Sequence, residues 1–163
     1  MDAAFGETLI GLLPNLRRYA ISLSRRADVA DDLVQITVER ALVNHASYDS
    51  GMRLEPWLFR ILRNAYIDMT RRNRTQGTQL DVFEMPDIVS TDGAATVEAR
   101  LMLHSALDAM ETLPVEQRDI LHLVCIEELS YAETAEVLGI PKGTVMSRLA
   151  RARMALSEKL GIK

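Results

Sequence analysis

The chain has 163 residues and a net charge of −4, and 48% of its residues are apolar while only 5% are aromatic. Helix formers dominate and no alternating β-branched stretch occurs, so the composition favours an all-α fold. The sequence has no nucleophile–base set, no paired carboxylates and no phosphate loop, and therefore gives no indication of an enzyme. Cys125 is the only cysteine, so an internal disulfide is excluded, and we predict that it is a small core residue. The histidines are not spaced as metal ligands, so we expect no metal and no other cofactor.

The first predicted helix runs from about Thr8 to Ser24. Pro14 interrupts its apolar pattern, so we expect a kink there or a helix that starts nearer Pro14. The N-terminal segment lacks the basic start of a signal peptide, and its apolar run is too short for a membrane span. These features predict a cytoplasmic protein without membrane insertion.

Two further helices are predicted in the N-terminal half, from about Ala27 to Asn44 and from Pro56 to about Arg72, with a loop between them. In the first of these, the predicted inward positions are Ala30, Val34, Val38 and Ala41, and the predicted outward positions are Asp32, Gln35, Ile36 and Glu39. In the second, the apolar stripe is Leu58, Ile61, Leu62, Ala65 and Met69, and a polar face carries Arg60, Asn64, Asp68 and Arg71.

Residues 75–99 have no sustained period and contain Gly, Pro and Thr, which is typical of an interdomain linker. Phe83, Met85 and Ile88 make this segment less polar than a free tether, and they are the candidates for an interdomain contact if the domains pack together. A helix from about Val97 to Met110, a break at Leu113 and Pro114, and a helix over residues 115–128 are predicted to follow. The fold class is therefore two small helical domains joined by a flexible acidic linker.

The C-terminal segment predicts a helix-turn-helix. Ser130 and Glu133 form an S-x-x-E capping box at the start of its first helix, and Gly139 is suited to end that helix in the left-handed conformation. Pro141 suits the first turn of the second helix. In that helix the predicted inward side is Val145, Leu149 and Ala152, and the predicted outward side is Thr144, Ser147, Arg148 and Arg151. Hydroxyls and arginines on an outward face are typical of a helix that enters the DNA major groove, although an ordinary helical hairpin with a solvated basic face is the alternative.

Charge is distributed unevenly along the chain. Residues 53–74 carry six arginines against two carboxylates, and residues 139–163 carry six Lys and Arg residues against one carboxylate. Between them, residues 75–99 carry five acids and no Lys or Arg. Two basic segments separated by an acidic one indicate two DNA contacts on one chain.

Four sequence blocks, which span nearly the full length, carry a family resemblance. They are ADDLVQITVERAL at 30–42, EPWLFRILRNAYIDMTRR at 55–72, LPVEQRDILHL at 113–123 and SYAETAEVLGIPKGTVMSRLARAR at 130–153. In this order they resemble the extracytoplasmic-function (group four) branch of the bacterial sigma-seventy family. Two positions depart from the family pattern: Ile36 replaces an acid and Thr134 replaces an isoleucine. The opening LLPNLRRYAISLS is similar to the general-stress subgroup.

The resemblance implies a sigma factor that binds core RNA polymerase and directs promoter recognition, melting and transcription initiation. It implies that residues 1–74 are region two, residues 75–99 a linker and residues 100–163 region four. It also implies an anti-sigma factor as a partner, and we expect the free protein to be a monomer. The acidic linker is either a solvated tether or, as in the family, a segment that enters the RNA path of the polymerase.

The resemblance assigns three sets of site residues. The minus-ten element of the promoter would be contacted by Arg60, Arg63, Asn64, Asp68, Arg71 and Arg72. The minus-thirty-five element would be contacted by Lys142, Thr144, Ser147, Arg148, Arg151 and Arg153. Core polymerase would be contacted by Asp31, Asp32, Gln35 and Ile36. Trp57 and Tyr66 are candidates for stacking on an exposed base, with a core position as the alternative for Trp57.

Two other functions remain open from the sequence. One is a sigma-like decoy that sequesters an anti-sigma factor, and the other is a free-standing helix-turn-helix regulator. The decoy is disfavoured because the chain retains its arginines. The regulator would leave residues 1–74 without a role.

Overall fold

The computed structural model describes residues 3–76 and 96–161, which form helices, turns and short connections. The first domain consists of α1 (Ala3–Gly11), α2 (Leu13–Ser24), α3 (Ala27–Val43), a short 3₁₀ turn (His45–Ser47) and α4 (Leu54–Gln76). The second consists of α5 (Val97–Glu111), α6 (Val115–Leu121), a π-helical turn (His122–Ile126), α7 (Tyr131–Leu138) and α8 (Lys142–Leu160). The prediction of an all-α fold with two helical domains and a C-terminal helix-turn-helix is confirmed.

The predicted first helix is two helices, with the break next to Pro14. The α1 helix ends at Gly11, and α2 begins at Leu13 with Pro14 in its first turn. A proline is tolerated there because the first amides of a helix have no intrahelical acceptor. The expectation of a break or a later start at this proline is confirmed.

The core of the first domain lies between α2, α3 and α4. Its fully buried side chains include Leu16, Tyr19, Leu33, Leu58 and Leu62. On α3, Ala30 and Ala41 are buried as predicted, and the fully buried Thr37 satisfies its hydroxyl by donating to the carbonyl of Leu33 at 2.7 Å. Ile36 was predicted to face outward, but it is half-buried and packs against this core.

The second domain has a core between α6 and α8, which includes Ile120, Leu121, Val145, Leu149 and Ala152. After α6 the helix continues as a π-helical turn instead of the regular α-helix predicted to residue 128. In this turn the amide of Glu127 donates to the carbonyl of His122 at 2.9 Å. The prediction that Cys125 is a core residue is wrong, because this turn leaves it exposed.

The two domains pack against each other. Leu123, Leu129 and Val137 of the second domain belong to the same buried cluster as the core of the first. This contact joins α2 and α4 to α6, α7 and the π-helical turn. Phe83, Met85 and Ile88, the predicted contact residues, lie outside the described residues.

The predicted linker overlaps two helices at its ends, since α4 extends to Gln76 and α5 begins at Val97. The hydroxyl of Thr96 accepts a hydrogen bond from the amide of Ala99 at 3.1 Å and thereby caps α5. Among the helices described, none is both long and apolar enough to cross a membrane. Within residues 3–76 and 96–161, no His, Cys, Asp and Glu cluster has the arrangement of a metal site.

Candidate nucleic-acid interface

The helix-turn-helix is built by the local signals that the sequence contains. The hydroxyl of Ser130 accepts from the amide of Glu133 at 3.0 Å, and the carboxylate of Glu133 accepts from the amide of Ser130 at 2.9 Å. Gly139 ends α7 with φ of +67°, a conformation that costs glycine nothing. Pro141 immediately precedes α8 instead of lying in its first turn as predicted. These contacts fix the angle at which α8 leaves the turn.

The α8 helix presents one buried and one exposed side. Val145, Leu149 and Ala152 are at most 1% exposed, which confirms the predicted inward positions. Lys142, Ser147, Arg151 and Arg153 are exposed, while Thr144 and Arg148 are half-buried. The hydroxyl of Ser147 donates to the carbonyl of Gly143 at 3.1 Å. None of these four basic side chains has a carboxylate partner in the part of the chain that the structure describes, so their charge is not neutralised by the protein there.

The basic face of α4 is partly engaged by other protein groups. Arg60, Asn64, Arg71 and Arg72 are exposed, as expected for groups that could contact DNA. A carboxylate oxygen of Asp68 lies 3.5 Å from a guanidinium nitrogen of Arg40 on α3. Arg63 instead donates its Nε–H to Asp119 of the second domain at 3.0 Å. The six residues predicted for the minus-ten element therefore share one helix, but not one free surface.

An aromatic groove of about 320 Å³ lies where α4 meets α7. Its first-domain side includes Trp57, whose ring centroid lies 5.3 Å from that of Tyr48. Trp57 is half-buried and packs against the first core, so it has both an apolar contact and a face towards the groove. Tyr66, the other stacking candidate, is half-buried, and burial is the main cause that raises the pKa of its phenol.

The residues predicted to contact polymerase are grouped on α3. Asp31, Asp32 and Gln35 are exposed, whereas Ile36 is half-buried. Asp31 accepts from the Nε–H of Arg17 on α2 at 3.0 Å. This surface is therefore a small polar patch with a partly covered apolar residue beside it.

A buried polar contact between the domains was not predicted from the sequence. Tyr19, which is fully buried, donates its hydroxyl to Asp119 at 2.6 Å. Burial, followed by the charge of Asp119, raises the pKa of this phenol well above its ordinary value, so it remains a donor. Asp119 is 5% exposed and also accepts from Arg63. It thus joins α6 to both α2 and α4.

A second buried carboxylate, Glu127, also contacts the first domain. Arg18 donates to both of its oxygens at 3.0 Å, and Asn15 donates to Oε1 at 3.2 Å. A nitrogen of the His122 ring lies 2.8 Å from Oε2. Burial raises the pKa of this carboxyl, but the hydrogen bonds from His122 and Arg18 outweigh burial, and the pKa is lowered. The only sequence signal for both contacts was the presence of acids within an apolar helical stretch.

Comparisons with known proteins match both domains. Residues 10–76 match the family model described as sigma-70 region 2, and residues 103–156 match the model described as sigma-70 region 4. The chain is 39% identical over 154 residues to the ECF RNA polymerase sigma factor EcfG of Rhodopseudomonas palustris, covering 94% of this chain and 83% of the relative. It is 32% identical over 141 residues to the ECF RNA polymerase sigma factor SigM of Bacillus subtilis, covering 85% and 84%.

Two solved structures have the same arrangement of helices. One is the sigma factor RpoE from Bartonella quintana in complex with the anti-sigma factor NepR, with a TM-score of 0.79, 34% identity and 99% coverage of each chain. The other is CnrH in complex with the cytosolic domain of CnrY, with a TM-score of 0.69 and 27% identity over 97% of this chain and 88% of that one. The packed two-domain arrangement thus has a close counterpart in a sigma factor bound to an anti-sigma factor.

Proposed function

Because this chain belongs to the extracytoplasmic-function sigma factors of the sigma-70 family and is an RNA polymerase sigma factor, we propose that it binds core polymerase through α3 and contacts two promoter elements through α8 and α4. The observation that carries the proposal is the geometry of α8. Its apolar side is buried in the second domain, and the basic residues of its other side, exposed apart from the half-buried Arg148, have no carboxylate partner among the described residues. Such a helix is suited to lie in a major groove.

At the minus-thirty-five element, α8 would read bases from its exposed side. Arg148 and Arg151 are one turn apart, so both can point into the same stretch of groove. A bidentate contact from arginine to guanine supplies about 1–3 kcal/mol of discrimination against a wrong base. Thr144 and Ser147 are short hydroxyl residues that suit either bases or phosphates. Lys142 and Arg153, at either end of this face, would bind phosphates and add affinity without sequence information.

At the minus-ten element, α4 and the aromatic groove would hold separated strands. Arg60 and Asn64 lie one turn apart and are exposed, so they can share one nucleotide. Arg63, Asp68, Arg71 and Arg72 complete the set proposed for this element. The half-buried Trp57 offers a ring face, and stacking of an unpaired base on an aromatic ring contributes about 1–3 kcal/mol. That gain is similar in size to the cost of removing a base from the duplex.

The proposed partners are core RNA polymerase, promoter DNA and an anti-sigma factor. Polymerase would bind the α3 patch of Asp31, Asp32, Gln35 and Ile36. An anti-sigma partner is supported by the solved sigma factor RpoE, which is in complex with the anti-sigma factor NepR. We further propose that residues 1–74 and 100–163 act as the two promoter-binding units, and that the protein works in the cytoplasm, where polymerase is.

The test is run-off transcription with purified core polymerase on promoter fragments from the source genome. Wild-type protein is expected to yield promoter-specific transcripts. Arg148→Ala and Asn64→Ala are expected to lose them, whereas Lys159→Ala, an exposed charge near the end of α8, keeps them. Binding to core polymerase without a transcript on any fragment would favour a decoy. A footprint on duplex DNA without polymerase would favour a simple regulator.

A further inference from the structure

The exposed face of α8 is not uniformly polar. Met146 is 52% exposed and Met154 is 65% exposed, and Ala150, which lies between them, is exposed as well. The three residues recur every fourth position, so they form one line along the helix, which we call the apolar line. The helix buries Val145 and Leu149 on another side, so the apolar line does not belong to the core of the domain.

Positive charge lies on both sides of the apolar line. At about 100° per residue, Lys142 and Arg153 lie on one side of it and Arg151 lies on the other. All three side chains are exposed, and the sequence from Lys142 to Ser157 contains no Asp or Glu. An apolar strip between cationic edges complements a ligand that is anionic at its edges and has apolar groups between them.

The major groove of DNA has this distribution of charge and apolar surface. Phosphates line its edges, while its floor presents the hydrogen-bonding groups of the bases and, at thymine, a methyl group. A methionine side chain has no hydrogen-bond donor, and its sulfur is only a weak acceptor. Among the groups on the groove floor, the thymine methyl is therefore the one that an apolar side chain complements.

The two methionines differ in their distance from the start of α8, which begins at Lys142. With a rise of 1.5 Å per residue, Met146 lies about 6 Å along the helix and Met154 about 18 Å. A recognition helix contacts base edges with its N-terminal residues, and the groove is about 12 Å wide. Met146 is therefore placed to reach a base, whereas Met154 lies outside the groove.

We propose that Met146 is a specificity-determining residue that contacts the methyl group of a thymine in the minus-thirty-five element, with the methyl group of Ala150 beside it. This inference rests on the proposed function of α8 and deepens it. Arg148 and Arg151 remain the proposed contacts to guanine, and the cations at the edges bind phosphates. Met146 adds a preference for an A·T pair at one position, which contacts to phosphates do not impose.

Replacement of thymine by uracil tests the contact, because it removes the methyl group and preserves every hydrogen-bonding group of the base pair. In a promoter fragment that the wild-type holoenzyme transcribes, each thymine of the minus-thirty-five element, on either strand, is replaced in turn. At one position or more, binding of the wild-type holoenzyme is expected to weaken about three- to tenfold. Met146→Ala is expected to weaken binding to the thymine fragment by a similar factor and to abolish the effect of uracil at that position.

The matched control is Met154→Ala, which makes the same change at another exposed position of the same helix. It is expected to bind as tightly as wild type and to keep the full effect of uracil. Salt dependence separates the methyl contact from phosphate contacts. Lys142→Ala is expected to reduce the slope of log affinity against log salt concentration by about 1, whereas Met146→Ala leaves the slope unchanged. Circular dichroism checks that each variant is folded.

Three results would overturn the proposal. They are equal binding of thymine and uracil fragments by wild type at every position, an undiminished effect of uracil in Met146→Ala, and a set of transcribed promoters that share no A·T pair in this element. If wild type yields no promoter-specific transcript, the proposed function fails. The uracil comparison is then made on duplexes that the protein selects from a random pool, and selection of no sequence would overturn the inference as well.

Discussion

The hydrogen bond from Tyr19 to Asp119 gives the sharpest test of how the domains are joined. Tyr19→Phe removes only the hydroxyl, because the ring contacts remain: an edge contact with Phe59 at 5.3 Å and a stacked contact with His122 at 5.4 Å between centroids. The lost bond is short, buried and made to a charged acceptor. Bonds of this kind contribute about 1.5–3 kcal/mol, which is roughly a 10- to 150-fold change in an equilibrium constant.

The assay is a double-mutant cycle in urea. Wild type, Tyr19→Phe, Asp119→Ala and the double variant are unfolded and followed by the fluorescence of Trp57 and by far-ultraviolet circular dichroism. The coupling energy between the two substitutions is expected to be about 1.5–3 kcal/mol. Val38→Ala, at a half-buried apolar position on α3, serves as the partner expected to be uncoupled from Tyr19→Phe. A Tyr19–Asp119 coupling below about 0.5 kcal/mol, the usual limit of additivity, would refute the reasoning.

Three further predictions concern the helix ends and the buried acids. Ser130→Ala removes a side-chain cap from α7 and is expected to lower the free energy of unfolding by about 1 kcal/mol in thermal melts, with Ser157→Ala as the control. Gly139→Ala is expected to lower the free energy of unfolding by about 1–2 kcal/mol because of the positive φ alone, since nothing crowds the new methyl group. Gly143→Ala, within α8, is expected to raise it by about 0.5–1 kcal/mol. The pKa of Glu127 is lowered in the folded protein. The contribution of its carboxylate to stability is therefore complete when the pH is above the ordinary pKa of 4.5, and it is lost as the pH falls through the lowered pKa. The radius of gyration is therefore expected to rise in acid and stay constant near neutrality.

The parts of the fold that were predicted are those encoded by neighbouring residues. The cap at Ser130, the turn at Gly139 and the buried side of α8 each depend on spacings of at most seven residues, and all three are present. Helix periodicity also predicted α3 nearly to the residue. It did not predict that Leu33 is completely buried, because the width of a buried stripe depends on how many neighbours surround the helix.

The interdomain contact could not be predicted from local pattern. Tyr19 and Asp119 are 100 positions apart, and nothing in either segment specifies the other. Arg63 was therefore interpreted only as a DNA contact, although its Nε–H donates to the carboxylate of Asp119 in the second domain. Cys125 was assigned to the core because it is a small residue in an apolar helical run, but it lies in the π-helical turn and is exposed.

The π-helical turn makes one exposed position tolerant of deletion, which a position inside a helix ordinarily is not. A residue lost from a regular α-helix rotates everything after it by about 100°. Five residues of a π-helical turn complete nearly the same rotation as four of an α-helix, so loss of the exposed Cys125 would convert this turn to a regular α-helical one. Glu127 would then still face His122 and Arg18, and α7 would keep its approach to α4. Relatives that keep this domain contact are thus expected to vary the residue at position 125 freely and to include chains that lack it.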